Sequence, residues 1–149
     1  MDKMLGGYQA LQIRLLNGRI FQKLLSKEAD AQYRSEQGKT LTVLWQKEDG
    51  RATATDIALA SGLANNTLTT MIKKLVDQGL VTIEQSDQDK RKKFVVLTEL
   101  GWAQKEIGDR VSEELGEIFY QGFSDQEIRE FEAYQERIIT NLKAKENDM

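Results

Sequence analysis

Residues 87 to 93 read Asp87-Gln88-Asp89-Lys90-Arg91-Lys92-Lys93, an unbroken run of four cations behind an acidic pair. Clustered Lys and Arg suit a polyanion, because each cation that reaches a phosphate releases a condensed counterion. Upstream lies Asn65-Asn66-Thr67-Leu68-Thr69-Thr70-Met71-Ile72-Lys73-Lys74-Leu75. At helical spacing Leu68, Met71, Ile72 and Leu75 form one apolar stripe. That leaves Asn65, Asn66, Thr67, Thr69, Thr70 and Lys73 on the remaining surface, with Lys74 beside them. Asn amides and Thr hydroxyls donate to and accept from base edges, Asn suiting adenine and the Thr methyl suiting thymine. The simpler accounts are that Asn65 and Thr67 only cap a helix and that Lys90 to Lys93 form a solvated loop.

Other chemistry is poorly provided for. The sequence of 149 residues has no His and no Cys. Disulfides, thiol redox switches, zinc sites of the usual ligand kind and every acid–base device built on imidazole or thiolate are therefore excluded. Neither standard glycine-rich phosphate loop occurs, and no metal-ligand cluster does. Composition alone leaves room for a paired-carboxylate hydrolase, yet no apolar cleft presents itself. We expect no enzyme, no cofactor and no metal.

The elements that must position these residues are mostly helices. An absence of Pro fits that class. Apolar residues at Leu11, Leu15, Leu16, Ile20, Leu24 and Leu25 predict a first helix from Tyr8 to about Ala31, kinked or frayed near Gly18. Ser35 is placed to cap a second helix holding Leu41, Val43, Leu44 and Trp45, with Asp49-Gly50 as the exit turn. Thr53-Ala54-Thr55-Asp56 opens a third as a capping-box variant. The Asn65 helix runs to the stop at Gly79. Strands follow from Leu80 to Glu84 and from Phe94 to Leu97, paired around the cationic loop. Thr98 is placed to cap a fifth helix over 99–121. Ser124-Asp125-Gln126-Glu127 opens a sixth, through about Ala144. Helix, tight turn, helix and a hairpin with a cationic tip make a winged helix-turn-helix, mainly α with a small β-hairpin wing.

Charge supports that division. The net charge of −3 is uneven: residues 1–50 hold 8 basic and 6 acidic side chains, 51–98 hold 7 and 5, and 99–149 hold 6 and 13. A local positive field governs phosphate contact, so the acidic C-terminal third is no obstacle. Nothing near the start reads as a signal peptide and no apolar run reaches a membrane span, so the cytoplasm is the expected location. The apolar stripe Ile128, Phe131, Tyr134, Ile138, Ile139 and Leu142 near the chain end needs a partner surface. With the first helix it can pair with a second copy of itself.

The chain resembles the MarR family of bacterial transcription regulators over nearly its whole length. Most specific are Asp89-Lys90-Arg91 followed by Val95-Val96-Leu97-Thr98-Glu99-Leu100-Gly101, which look like that family's wing and its exit into the next helix. Leu68 to Leu80 looks like its recognition helix. The resemblance implies three regions: 1–34 and 99–149 for dimerisation, and 35–98 for DNA. It further implies a homodimer on a pseudo-palindromic operator, a repressor more readily than an activator, with wings in the flanking minor grooves. Asp89 would then hold Arg91 in place. At the interface we expect Leu11, Leu15, Phe131, Tyr134, Ile138 and Leu142. A small lipophilic or phenolic inducer is implied too, in a cleft lined by Tyr8, Arg14, Phe21, Tyr33 and Trp45. Ordinary core or interface packing is the competing account of these aromatics.

Three positions depart from the family pattern. Ala64 replaces the usual hydroxyl cap, so that Asn65 is expected to cap one residue later. Thr70 stands where a basic residue is common, and Ser61 where an aliphatic one is. A protein-interaction module without DNA specificity is the alternative reading; a neutral wing tip would have favoured it.

Overall fold

Short local signals set most boundaries in the computed structural model, which describes residues 3–149. The order is α1 (Gly6–Ser26), a 3-10 turn (Ser35–Gln37), α2 (Gly38–Trp45), β1 (Arg51–Thr53), α3 (Ala54–Ser61), α4 (Asn65–Asp77), β2 (Val81–Gln85), β3 (Lys93–Leu97), α5 (Glu99–Phe119) and α6 (Asp125–Asp148). Two compact units result, residues 1–115 and 116–149.

In the first unit the predicted caps work as chemistry requires. Thr53 Oγ1 accepts from the Asp56 backbone N–H at 3.1 Å and starts α3. Thr98 does two jobs: its hydroxyl accepts from the Gly101 N–H at 3.0 Å and donates to the Gly79 carbonyl at 2.7 Å. One side chain thus caps α5 and ties it to the turn after α4. Gly101 must lack a side chain, since a Cβ there would strike the Leu80 carbonyl oxygen.

Ser35 does not cap α2. Its backbone N–H donates to Gln22 Oε1 of α1 at 2.8 Å. Ser35 instead opens the 3-10 turn, whose cap is Arg34, and the Arg34 N–H donates to Gln37 Oε1 at 2.9 Å. Helix α1 also departs from expectation. It runs unbroken through Gly18 and stops at Ser26, well short of Ala31. Burial of Leu25 and Tyr33 in the core folds the intervening segment back, so tertiary packing sets this end.

The sheet has three antiparallel strands in the order β1-β3-β2, one more than the expected hairpin. Ala52 and Ile83 flank Val95 on either side. Leu25, Leu41, Leu44, Ile57, Leu68, Leu75 and Leu80 lie at the centre of the core, with Val81, Val95 and Leu97 supplied by the wing strands. The wing is therefore rooted in the same apolar interior as α4.

In the second unit Ser124 and Glu127 form the expected capping box. The Glu127 N–H donates to Ser124 Oγ at 3.1 Å and the Ser124 N–H to Glu127 Oε1 at 2.8 Å. Phe119, Tyr120, Phe123 and Phe131 cluster with ring centroids 4.8 to 6.2 Å apart. Helix α6 extends beyond Ala144 to Asp148 and buries no residue. Among the described residues no helix is long and apolar enough to cross a membrane.

Candidate nucleic-acid interface

Helix α4 presents the expected two faces. Leu68, Met71 and Leu75 are buried and Ile72 is half-buried, while Asn65, Asn66, Thr67, Thr69, Thr70, Lys73 and Lys74 are all exposed. The helix begins at Asn65 itself, with Ala64 in extended backbone geometry as an N-cap that offers no side-chain bond. Asn65 is the first helical residue rather than the cap, contrary to expectation. An Ala cap offers no side-chain acceptor to the first turn, so the Asn65 and Asn66 N–H groups stay available to an anion, while the Thr67 N–H is taken by Asn66 Oδ1.

Local hydrogen bonds decide what each polar group can offer. Thr69 Oγ1 donates to the Asn65 carbonyl at 2.8 Å, and Thr70 Oγ1 donates to the Asn66 carbonyl at 3.2 Å. Both hydroxyl protons are thereby used inside the helix. What remains outward is an acceptor oxygen and a methyl group, suited to an amino group or a thymine methyl. Asn66 Oδ1 accepts from the Thr67 N–H at 2.9 Å, which leaves its amide NH2 as a donor.

The wing tip is built around two short side chains. Ser86 Oγ accepts from the N–H groups of Gln88 and Asp89, each at 3.2 Å, and so winds the loop. Asp89 Oδ1 then accepts twice from Arg91, from the backbone N–H at 3.0 Å and from Nε–H at 3.2 Å. Both bonds favour the carboxylate. The backbone N–H is the larger cause and the guanidinium the second, and together they hold the Asp89 carboxyl below its ordinary range. The Arg91 side chain stays 92% exposed. An exposed pair of this kind contributes little to folding, but it restricts where the guanidinium points. Lys90, Lys92 and Lys93 are exposed, and among the described residues Arg91 alone of the wing cations is ion-paired.

One cleft borders α4, and a second lies among α1, α2 and α5, apart from α4 and the wing. The first, of about 610 Å³, lies between α4 and the 3-10 turn and brings Asn66, Thr67, Thr70 and Lys74 near Arg34, Gln37 and Gln78. Sequence reasoning missed Arg34, Gln37 and Gln78, since polar residues outside a periodic stripe give no signal. The other, of about 1080 Å³, gathers Arg14, Phe21, Tyr33 and Trp45, with Ser61 also on its wall. Tyr8 is not part of it; that side chain is exposed near the start of α1. Tyr33 and Trp45 meet edge to face at 5.8 Å, and Trp45 Nε1–H donates to the Gly101 carbonyl at 3.0 Å. Burial, with Asp109 as the lesser cause, pushes the Tyr33 phenol up to about 12.

Residues 35–93 match the model of the MarR family. No curated protein matches the chain. Solved structures do. A MarR transcriptional regulator from Methanosarcina mazei is 24% identical, with a TM-score of 0.82 over 95% of this chain and 99% of that one. S. aureus MepR, solved as a DNA complex, is 21% identical, with a TM-score of 0.82 over 93% and 99%. Bordetella bronchiseptica BpsR, whose DNA binding is regulated by 6-hydroxynicotinic acid, is 21% identical, with a TM-score of 0.76 over 92% and 99%. The fold is that of these solved structures, and residues 35–93 are the part that the family's model matches.

Proposed function

We propose that this chain is a sequence-specific DNA-binding transcription regulator, a repressor acting as a homodimer on a pseudo-palindromic operator. The observation that carries the reading is the pairing of two surfaces on one apolar core. An exposed face of amides and acceptor oxygens on α4 suits base edges, and a wing tip whose arginine is aimed by Asp89 suits the sugar–phosphate edge. Lys73, Lys74, Lys90, Arg91 and Lys92 supply the phosphate contacts, and Asn65, Asn66, Thr67, Thr69 and Thr70 the base-facing set. The likeness to MepR in complex with DNA supports the same docking.

The chain divides by role into a dimerisation helix (1–34), the DNA-binding winged helix (35–98) and C-terminal dimerisation helices (99–149). Leu11, Leu15, Tyr134, Ile138 and Leu142 are exposed apolar residues that a second copy would cover, and half-buried Phe131 lies in the same stripe. The cleft at Arg14, Phe21, Tyr33 and Trp45 is the place for a small lipophilic or phenolic inducer. Such a ligand releases DNA only through tighter binding to the conformation that cannot engage the operator. The protein works in the cytoplasm and needs no cofactor.

Selecting bound duplexes from a random pool tests this reading. It should return a palindrome with half-sites about one helical turn apart. A pool that stays random through every round would defeat the reading and favour a protein-interaction module.

A further inference from the structure

Polar contacts within the first unit form a chain that the DNA-binding reading does not use. Gln104 of α5 is 2% exposed, and its Oε1 accepts from the Gln32 backbone N–H at 2.8 Å. Its Nε2 donates to the Asp30 carbonyl at 3.3 Å. On the other side of the same residue, the Gln32 carbonyl accepts from Gln78 Nε2 at 3.1 Å. Gln78 directly follows α4. Its Oε1 accepts from Gln37 Nε2 at 2.6 Å, and Gln37 Oε1 accepts in turn from the Arg34 N–H. The segment 30–34 is thus gripped by α5 through its N–H and by the end of α4 through its carbonyl.

Tyr33 sits in the middle of that grip. Its ring is buried in the wall of the larger cleft against Trp45, and Trp45 is anchored to the Gly101 carbonyl of α5. A displacement of Tyr33 is therefore delivered to the Gln32 carbonyl one residue away, and from there to Gln78. The core stripe of Leu68, Met71 and Leu75 holds α4 down but is apolar and directionless. Hydrogen bonds at the helix end add direction. We propose that Gln78 is a positioning residue that sets how α4 presents its polar face, and that the amide chain Gln104–Gln32–Gln78–Gln37 couples that presentation to the Tyr33 wall of the cleft. This rests on the reading of α4 as the DNA-reading helix. Coupling of this kind is reciprocal, so operator engaged by α4 must also be felt at Gln32 and Tyr33.

Gln78 is exposed, so its replacement leaves the core intact. Gln78→Leu removes all three side-chain bonds, one to Gln32 and two with Gln37, while Gln78→Glu keeps an acceptor for Gln37 and loses the donor to Gln32. Dissociation constants would be measured at one salt concentration for the selected operator and for a random duplex of equal length. Both variants should lose operator preference by about tenfold, with random-duplex binding by Gln78→Leu unchanged. Backbone 15N shifts of Gln32 and Tyr33 give a second readout. They should move when wild-type protein is saturated with operator and stay still in Gln78→Glu. If Gln78→Leu fails to fold, Gln78→Glu carries both measurements. An unchanged operator preference, or Gln32 and Tyr33 shifts equal to wild type, would overturn the proposal. A wild-type protein with no operator preference would instead fail the regulator reading, and the inference with it.

Discussion

Two substitutions at the wing tip separate charge from orientation. Arg91→Ala removes one phosphate-reaching cation per protomer, hence two from a homodimer. Each lost contact makes the slope of log affinity against log salt shallower by about 0.9, so the total change is about 1.8. Between about 50 and 200 mM salt, wild-type affinity should therefore fall roughly tenfold further than that of the variant. Asp89→Asn leaves Arg91 charged and removes one negative charge per protomer. If charge alone mattered, it would tighten binding to every duplex. The bonds from Arg91 to Asp89 Oδ1 argue otherwise: the backbone N–H bond fixes the turn and the Nε–H bond restricts the guanidinium before DNA arrives. The Asn amide oxygen still accepts, but without charge, and that weaker hold on the guanidinium should reduce operator binding by roughly fivefold per protomer, with the salt slope nearly kept. Random-duplex binding should hold or strengthen slightly. Fluorescence anisotropy over a salt series reads all of this. If Asp89→Asn bound operator and random duplex more tightly by equal factors, Asp89 would be no more than a stray negative charge and the steering argument would fail.

Further expectations concern the other parts of the molecule. Replacing Asn66 and Thr69 together by Ala should cost roughly 1–3 kcal/mol of operator binding while sparing random duplex; equal losses in a competition assay would mean that these groups read no bases. Ile138→Asp puts a charge into the α6 stripe and should yield monomers with little operator affinity; a dimer by light scattering would move the interface elsewhere. Tyr33 gives a pH test. Its phenol is raised in the folded chain from 10.0 to about 12, so the folded state holds that proton more tightly than the unfolded one. The resulting stability is fully present below about pH 10 and is lost as pH climbs toward 12, by up to about 3 kcal/mol. Urea titrations of Tyr33→Phe should lack that added decline; matching alkaline profiles would show that the ring is not held as described.

Local rules made much of this architecture legible from the chain alone. Thr53, Thr98 and the Ser124–Glu127 box act within three residues of themselves, and each forms the cap its chemistry suggested. The stripe Leu68, Met71 and Leu75 was readable because helical period and burial agree there. Legibility failed where distance in sequence took over. Strand β1 is only Arg51–Thr53, too short for any period, and exists because β3 offers it an open edge. Ser35 looked like a cap, but its backbone was claimed by Gln22 of α1. Helix α1 ended early because Leu25 and Tyr33 share one core. At the site the cationic wing and the polar face of α4 stood out as composition. Gln37, Gln78 and Gln104 did not, since their partners lie far along the chain and a lone glutamine announces nothing. The family resemblance and residue type place Tyr8 with the cleft aromatics, but neither says which side of α1 it occupies, and it lies outside the cleft.

Hydroxyl-radical footprinting on a selected duplex puts the central claim to its most direct test. Two protected half-sites, about one helical turn apart and related by a twofold axis, with flanking minor-groove protection that disappears in Arg91→Ala, are the expected pattern. Uniform protection without symmetry, unchanged by Arg91→Ala, would contradict it.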